Sequence, residues 1–338
     1  MPEIDHDRRR FLGSAAMTMA VGAAAAAPAS ARPASAAPPA PFGPLRQVAA
    51  GPLNIGYVEA GPATGPAVLL IHGWPYDIQT YAEAAALLAA AGRRVIVPYL
   101  RGYGTTRFLS DDAPRNGQQS VFAADALALM DALGIEQAVV GGCDWGARTA
   151  CILAALWPGR FTALVSVSGY LIGSQAAGRK PLAPKAEQSW WYQYYFATER
   201  GRAGYAANRE DFARLIWQTA SPQWRFDEAT FRRSAASLDN PDHVAIVIDN
   251  YRWRLGVAAG DPKLDPIEAR LAAAPPIAIP TITLEGDANG APHPEPSAYA
   301  AKFTGRYAHR LIRGGIGHNL PQEAPRAFAD AVLDVARA

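Results

Sequence analysis

The sequence predicts an α/β fold in which helices flank a mostly parallel sheet and a helical segment is inserted between two of its strands. Short apolar runs, such as residues 67–71 and 95–97, alternate with alanine-rich helical patterns, such as residues 120–133. Continuous apolar runs are typical of strands buried on both faces, and strand–helix alternation is typical of parallel sheets. The alternation stops over residues 171–264, where aromatic and arginine-rich segments replace it, and then returns.

The elements can be placed in chain order. Residues 45–60 alternate weakly and end in a glycine/proline turn, which predicts two antiparallel strands at the start. The other predicted strands are 67–71, 94–98, 138–140, 161–167, 280–286 and 309–312. The predicted helices of the core are 80–91, 120–133, 147–157 and 325–337.

This pattern predicts five regions along the chain. A targeting segment at 1–36 and a proline/alanine linker at 37–44 precede the core. The core is expected in two parts, 45–170 and 265–338, with a helical cap at 171–264 between them. Most of the eight tryptophans lie in or near the cap, which indicates an aromatic-lined cavity between cap and core.

Composition excludes several classes of function. Half of the residues are hydrophobic and 18% are charged, so a large core is available. A formal net charge of +2 gives no reason to expect a nucleic-acid or anionic-membrane partner. No His/Cys/Asp cluster has metal-ligand spacing and no glycine-rich phosphate loop appears, so neither metal nor cofactor is expected. The two cysteines, Cys143 and Cys151, are not expected to form a disulfide.

The first 36 residues resemble a twin-arginine export signal. Arg8, Arg9 and Arg10 precede Phe11-Leu12, a short Ala/Gly-rich apolar stretch and small-residue cleavage motifs. The apolar stretch is too weak for a permanent membrane anchor. We therefore expect a periplasmic or secreted bacterial protein that engages the twin-arginine export machinery. The alternative is a disordered basic tail.

A tight turn after the strand at 138–140 presents Asp144. Gly142 and Gly146 flank this residue, and a helix follows at 147–157. Strand, turn with small residues and helix form the layout of a nucleophile elbow, which here would present a carboxylate. A carboxylate nucleophile forms an ester that water must then hydrolyse. The alternative is that Asp144 only caps the helix.

An ordered set of motifs carries a resemblance to a known family. His72-Gly73-Trp74-Pro75 follows the first buried strand, Gly-x-Asp-Trp-Gly follows at 142–146, and Gly317-His318 comes late. This order resembles the α/β-hydrolase superfamily. More narrowly, it is similar to the epoxide hydrolase and haloalkane dehalogenase group, which uses an aspartate nucleophile. The resemblance covers residues 45–338.

The resemblance implies roles for four residues. Asp144 would attack the electrophilic carbon directly, because a carboxylate needs no base to activate it. The backbone N–H groups of Trp74 and Trp145 would form the oxyanion hole for ester hydrolysis. His318 would activate the water, a task that suits its ordinary pKa. The alternative for His318 is a polar residue at the start of a helix.

Two cap tyrosines complete the implied epoxide hydrolase site. Residues 192–196 resemble the first family segment, with Tyr192 matching, and residues 250–253 resemble the second, with Tyr251 matching. Their hydroxyls would hydrogen-bond the epoxide oxygen and protonate it; the alternative is aromatic packing in the cap. The further candidates for substrate binding are His72, which is also expected to hold the oxyanion loop, Gln193 and Arg148.

The sequence departs from the family pattern at the residue that orients the histidine. The family has Gly-x-x-Asp after the late strand, whereas this chain has Asn289 at the acid position. Asn289 can orient an imidazole but cannot offset an imidazolium charge. Asp287 is an alternative partner, and the triad acid is left unassigned. Tyr99 likewise stands where the family has Asp in its Asp-x-Arg-Gly-x-Gly loop.

The leading hypothesis is a hydrolase that opens a hydrophobic epoxide to a diol with water as the second substrate. The second hypothesis is haloalkane or haloacid dehalogenation, with Trp145 as a halide donor. For a haloacid, Arg148 matches the second arginine of the fluoroacetate-dehalogenase pattern. The third is a ligand-binding protein on a hydrolase scaffold that has lost turnover, which Asn289 alone supports.

Overall fold

The computed structural model describes residues 42–337, so the predicted export signal and most of the linker lie outside the described residues. Within that range, nine strands form one sheet. They are β1 (Arg46–Ala50), β2 (Leu53–Ala60), β3 (Ala67–Ile71), β4 (Arg94–Pro98), β5 (Arg107–Phe108), β6 (Ala138–Gly142), β7 (Phe161–Val167), β8 (Thr281–Gly286) and β9 (Tyr307–Ile312).

The α-helices fall into a core set and an inserted set. The core set is α1 (Ala82–Ala90), α2 (Gln119–Ala132), α3 (Trp145–Leu156), α12 (Pro296–Tyr299), α13 (Leu320–Glu323) and α14 (Pro325–Val335). The inserted set is α4 (Gln175–Gly178), α5 (Pro184–Ser189), α6 (Trp191–Ala197), α7 (Glu199–Ala207), α8 (Arg209–Ala220), α9 (Glu228–Ala235), α10 (His243–Arg254) and α11 (Asp265–Ala272). None of the helices within residues 42–337 combines the length and the apolar character needed to cross a membrane.

The sheet has the strand order β1-β2-β4-β3-β6-β7-β8-β9, with β5 paired to β2. The pairs β1–β2, β2–β4 and β2–β5 are antiparallel, and every pair from β4–β3 onward is parallel. The predicted fold class, a mostly parallel sheet flanked by helices, is therefore confirmed. Ile71 pairs with Gly142, which brings the carboxyl ends of β3 and β6 side by side.

Each face of the sheet has its own hydrophobic core, because successive strand side chains point to opposite faces. On one face, Leu69 and Ile71 of β3 pack in a cluster with Phe122 of α2. On the other face, Val68 and Leu70 pack in a cluster that contains Phe328 of α14. Burial on both faces explains why β3 has an uninterrupted apolar sequence.

The helical insertion lies between β7 and β8. Its helices begin at Gln175 and end at Ala272, so α11 extends the helical region eight residues beyond the expected boundary at 264. The antiparallel pair β1–β2 also follows the sequence expectation. Of the predicted core helices, the one expected at 80–91 is a 3-10 turn at Ile78–Tyr81 followed by α1.

Candidate active site

Asp144 occupies a strained turn between β6 and α3. Its backbone has φ 57° and ψ −121°, a conformation that non-glycine residues rarely adopt. A Cβ on Gly142 would strike the backbone of Gly146, and a Cβ on Gly146 would strike the carbonyl of Ile71. Asp144 stands at the N-cap position of α3 but makes no capping hydrogen bond with its side chain. The Asp144 side chain therefore does not serve as an ordinary helix cap, and it faces the loop that follows β3.

Backbone N–H groups surround the Asp144 carboxylate. The N–H of Trp74 donates to Asp144 Oδ1 at 2.9 Å. The backbone N–H of Trp145 also acts on this carboxyl and lowers its pKa. The structure thus brings both predicted oxyanion-hole residues to the predicted nucleophile, because β3 and β6 end next to each other in the sheet.

His318 faces the other carboxylate oxygen. Its Nε2 lies 3.5 Å from Asp144 Oδ2. The backbone around it is fixed on both sides: the His318 N–H donates to Ser221 Oγ at 2.9 Å, and the His318 carbonyl accepts from Cys143 Sγ at 3.3 Å. Cys143 is a buried free thiol, as is Cys151, and burial raises the Cys143 pKa. Cys143 therefore supports the histidine loop and is not presented as a nucleophile.

Asp144 and His318 shift each other's pKa in the direction that favours the charged forms. Burial alone would raise the pKa of Asp144, but the interaction with His318 and the Trp145 N–H outweigh it, and the pKa is lowered. Burial alone would lower the pKa of His318, but the Asp144 carboxylate and the charges of Glu285 and Glu323 outweigh it, and the pKa is raised. Asp144 is accordingly ionised at neutral pH.

The other ring nitrogen of His318 has no protein partner. Nδ1 is buried, and no described residue hydrogen-bonds it. Asn289 donates instead to Glu285 Oε1 at 2.7 Å and to Ser168 Oγ at 3.4 Å. Asp287 accepts from the N–H groups of residues 314–316 at 2.9–3.0 Å and is exposed. Neither sequence candidate for the triad acid hydrogen-bonds the imidazole.

Glu285 is the residue that the sequence reasoning missed. It lies on β8, is 6% exposed, and carries one of the negative charges that raise the His318 pKa. The signal was present, because a carboxylate inside an otherwise apolar and β-branched strand is costly to bury unless it is paired. Glu285 Oε1 also accepts from the Gly286 N–H at 3.2 Å.

The structure brings the two predicted tyrosines together next to Trp74. The ring of Tyr192 lies 5.4 Å from that of Tyr251 in an edge arrangement. Both rings are about equally close to the Trp74 indole, at 5.2 Å and 5.3 Å. Burial, followed by the Asp144 charge, raises the pKa of Tyr192 to about 12. Burial, together with the neighbouring Tyr192 and the Asp144 carboxylate, raises the pKa of Tyr251 well above its ordinary value. Both phenols therefore carry their protons at neutral pH.

A buried hydrogen-bonded series fixes the Trp74 indole. Trp74 Nε1 donates to the Tyr205 hydroxyl at 2.8 Å, and that hydroxyl donates to His243 Nε2 at 2.8 Å. The Nδ1–H of His243 donates to the Gly102 carbonyl at 2.9 Å. Burial lowers the pKa of His243 to about 3, so the ring stays neutral. His243 belongs to no sequence motif, and its role depends on contacts across the fold.

Among the candidates for substrate binding, His72 lies away from the cavity. It is fully buried, contacts the Gly73 carbonyl through Nδ1 and accepts from the Leu100 N–H through Nε2. Burial lowers its pKa to about 4, so the ring is neutral. This arrangement matches the expectation that His72 holds the oxyanion loop.

A cavity of about 570 Å³ opens next to Asp144 and His318. Aromatic residues of the insertion form much of its wall, as the sequence predicts, and they are Trp190, Trp191 and Tyr192. Arg148 and Arg254 also line it. Gln193 lines a smaller neighbouring cavity of about 200 Å³, to which Arg148 and Arg254 contribute as well.

The fold and this site define the class of protein. The model of the α/β hydrolase fold family matches residues 66–243, which is more than half of the chain. The chain therefore belongs to the α/β hydrolase fold family.

Several curated proteins that are similar to part of this chain are epoxide hydrolases. Epoxide hydrolase B of Mycobacterium tuberculosis is 33% identical over 150 residues, which are 40% of this chain and 41% of that protein. An epoxide hydrolase of Caballeronia sordidicola is 36% identical over 121 residues, or 36% of each chain. The chain thus matches about two fifths of the length of these curated relatives.

Two solved structures are similar to this chain over most of its length. A candidate epoxide hydrolase from Klebsiella pneumoniae is 64% identical, covering 87% of this chain and 97% of that one, with a TM-score of 0.86. A candidate epoxide hydrolase from Pseudomonas aeruginosa, 23% identical with a TM-score of 0.71 over 86% of this chain and 94% of that one, shares the fold. The protein is an α/β-hydrolase enzyme of the epoxide hydrolase-like kind.

Proposed function

We propose that the protein hydrolyses an epoxide to a diol through a covalent ester on Asp144. One arrangement carries the proposal: the carboxylate lies between the Trp74 N–H and His318, and the Tyr192–Tyr251 pair packs against Trp74. A carboxylate attacks carbon, and a neutral phenol protonates an alkoxide. Both groups required for opening an epoxide ring are therefore at one end of the cavity.

In the first step, an Asp144 oxygen attacks an epoxide carbon and the C–O bond to the ring oxygen breaks. The ring oxygen takes its proton from Tyr192 or Tyr251, which leaves a hydroxy-ester and a tyrosinate. Asp144 needs no base because its pKa is lowered and it is already ionised. The strained backbone holds the carboxylate ready for attack, which reduces the entropy cost of the step.

In the second step, His318 Nε2 takes a proton from water and the hydroxide adds to the ester carbonyl. The N–H groups of Trp74 and Trp145 stabilise the oxyanion. The intermediate collapses, the diol leaves with the proton from His318, and the proton left on the Asp144 carboxyl returns to the tyrosinate. Glu285 offsets part of the imidazolium charge from a distance, so we assign it as a positioning residue for His318.

The substrate proposed for this site has an apolar part. Leu171, Ile172 and Ile216 line the cavity together with the insertion aromatics. Burying apolar substrate surface against these side chains supplies binding free energy of about 25 cal/mol per Å².

Intact-protein mass spectrometry tests the proposal. The protein and a His318→Ala variant are mixed with a panel of epoxides, and the variant is expected to accumulate a substrate-sized mass increase that maps to Asp144. An Asp144→Asn variant is the matched control and should show no adduct. Diol formed by the unmodified protein with no adduct in the His318→Ala variant would overturn the ester mechanism.

C–halogen hydrolysis is the second candidate, and one observation favours it. The indole Nε1 of Trp145 is buried and makes no hydrogen bond of normal geometry with the described residues, although it acts on the nearby Tyr251 hydroxyl. An N–H donor next to the nucleophile is suited to stabilise a departing halide. Halide release from haloalkanes or haloacids by a protein that leaves epoxides unchanged would favour this function.

We also propose export by the twin-arginine route to the periplasm, which the arginine pattern at residues 8–12 supports. Expression of the full chain in a bacterium, followed by fractionation and N-terminal sequencing, tests this. Replacing Arg8, Arg9 and Arg10 with lysine should retain the protein in the cytoplasm, and unchanged export would contradict the proposal.

A further inference from the structure

The smaller cavity, of about 200 Å³, lies next to the cavity at Asp144 and has a strongly positive wall. The two cavities share Arg148, Leu171, Trp190 and Arg254. Lys180 adds a third cation to the smaller one, and no aspartate or glutamate of the described chain lines it. A concave site with several cations and no carboxylate attracts an anion.

Neither shared arginine is paired with a carboxylate at salt-bridge distance among the described residues, although the Asp144 charge acts on Arg148. Arg148 donates through Nε to the Leu171 carbonyl at 3.1 Å, and neither it nor Arg254 forms a salt bridge with any described residue. The Arg254 guanidinium lies 5.9 Å from the centre of the Trp190 ring and 5.8 Å from that of Tyr251. Burial, together with the charge of Arg254, lowers the pKa of Arg148 to about 10. An anion bound at this wall would relieve the repulsion between the two guanidinium groups.

A third group in this wall has no partner of its own. Gln193 is 5% exposed, and its Nε2 is buried with no hydrogen-bond partner among residues 42–337. A buried amide without a partner is costly, and a bound acceptor removes that cost. Gln193 lines the same cavity as the arginines, so an oxyanion there would accept from all three side chains.

We infer that Arg148, Arg254 and Gln193 bind a carboxylate on the substrate, so that the enzyme acts on epoxides that carry an acid group. Arginine forks match the two oxygens of a carboxylate, and an amide N–H adds a further donor. This inference rests on the proposed epoxide hydrolysis.

The position of Arg148 limits the length of such a substrate. Arg148 follows Asp144 by one helical turn, and its N–H donates to the Asp144 carbonyl at 3.1 Å. One turn advances about 5–6 Å along a helix, so the carboxylate lies only a short spacer from the reacting carbon. Leu171 and Trp190, which line both cavities, would contact that spacer.

The test compares two terminal epoxides on the same short alkyl chain, one ending in a carboxylate and one in a primary alcohol. The unmodified protein should prefer the carboxylate in kcat/KM by roughly ten- to a hundredfold, the range for a charge-assisted contact. Arg254→Gln should lower this preference by a similar factor. Arg252→Gln is the matched control, because Arg252 is on the same helix but pairs with Glu199 at 3.4 Å and should leave both substrates unaffected.

Binding of the saturated acid without an epoxide ring separates this inference from the proposed function. Calorimetric titration should detect binding of the saturated acid to the unmodified protein and no binding to the Arg254→Gln variant. Binding without hydrolysis of either epoxide would overturn the epoxide hydrolase proposal and leave the anion site. Hydrolysis of the alcohol epoxide with no preference for the carboxylate and no binding of the saturated acid would overturn the anion site alone.

Discussion

The side-chain amide of Asn289 donates to the Glu285 carboxylate at 2.7 Å. The negative charge near His318 thus lies on β8, four residues before the position where the family resemblance leads one to expect an acid. An aspartate at 289 would contact Glu285, and two carboxylates in contact raise the pKa of one of them. Asparagine at 289 therefore donates a hydrogen bond where an aspartate would add a second carboxylate.

Exchanging the charge between these two residues tests the role of Glu285. Glu285→Gln should lower the pH midpoint of ester hydrolysis, because His318 loses a charge that favours its protonated form. The double variant Glu285→Gln/Asn289→Asp should largely restore the midpoint. Single-turnover ester hydrolysis across pH measures it. The rate of ester formation is the internal control, and an unmoved midpoint in Glu285→Gln would remove Glu285 from the mechanism.

The ester should accumulate as the pH falls. Asp144 stays ionised because its pKa is lowered, so ester formation is expected to be constant from pH 8 to 5. Ester hydrolysis needs neutral His318. The Asp144 charge that raises the His318 pKa in the free protein is absent from the ester, where burial favours the neutral ring, so the base form is expected to be lost only as the pH falls well below neutrality. Acid quenching at steady state, followed by mass spectrometry, measures the ester fraction. A fraction that falls at low pH would contradict this assignment.

Removing the tyrosine hydroxyls should slow ester formation and not ester hydrolysis. Tyr192→Phe and Tyr251→Phe are each expected to lower the alkylation rate by roughly tenfold, because the other phenol remains next to the epoxide. The double variant should lose roughly a thousandfold, within the range for general acid catalysis. Rapid-quench kinetics measures both steps. Tyr195→Phe, on the same helix α6, is the matched control, and undiminished alkylation in the double variant would refute the role of the pair.

Asp77 should make stability depend on pH. The carboxyl is fully buried, its Oδ2 has no hydrogen-bond partner among the described residues, and burial raises its pKa from 3.8 to about 7. The folded state holds the proton more tightly, so this stabilisation is complete below pH 3.8 and lost by about pH 7. Asp77→Asn should gain about 2–3 kcal/mol relative to the unmodified protein between pH 5 and 8. Urea unfolding measures it, with exposed Asp112→Asn as the control that should show no such gain.

Tyr205→Phe should weaken both the fold and the oxyanion hole. The change leaves Trp74 Nε1 and His243 Nε2 buried without their shared partner. We expect a loss of about 2–4 kcal/mol in the free energy of unfolding, and slower ester hydrolysis because the Trp74 N–H is less well placed. Urea titration and single-turnover kinetics measure these effects. The exposed Tyr194→Phe serves as the control; a Tyr205→Phe protein with undiminished hydrolysis would show that the series does not position Trp74.

The sequence predicted those features of the fold and the site that depend on residues close together in the chain. The apolar run of β3 and the Gly142–Asp144–Gly146 turn depend on neighbours in the chain, and the fold class they predicted is confirmed. The two tyrosines were located because each lies in a segment resembling a family motif. Their approach to within 5.4 Å depends on how α6 and α10 pack.

The features of the site that the sequence did not predict depend on contacts between residues that are distant in the chain. His243 and Tyr205 meet Trp74 only after the insertion folds onto the core, and neither belongs to a motif. Arg254 and Arg148 are separated by 106 positions and form one wall only in three dimensions. The lack of a hydrogen bond between Asn289 and His318 likewise follows from the side-chain packing around Glu285.

The series from Trp74 through Tyr205 and His243 to Gly102 passes from a core loop into the insertion and back to a second core loop. Lifting the insertion would break buried hydrogen bonds in the interior and pull on the loop that supplies the Trp74 N–H. Opening of the insertion as a hinged lid would therefore carry the cost of these buried hydrogen bonds. Exchange of small molecules through the mouth of the cavity carries no such cost, which makes the residues at that mouth a point of selection.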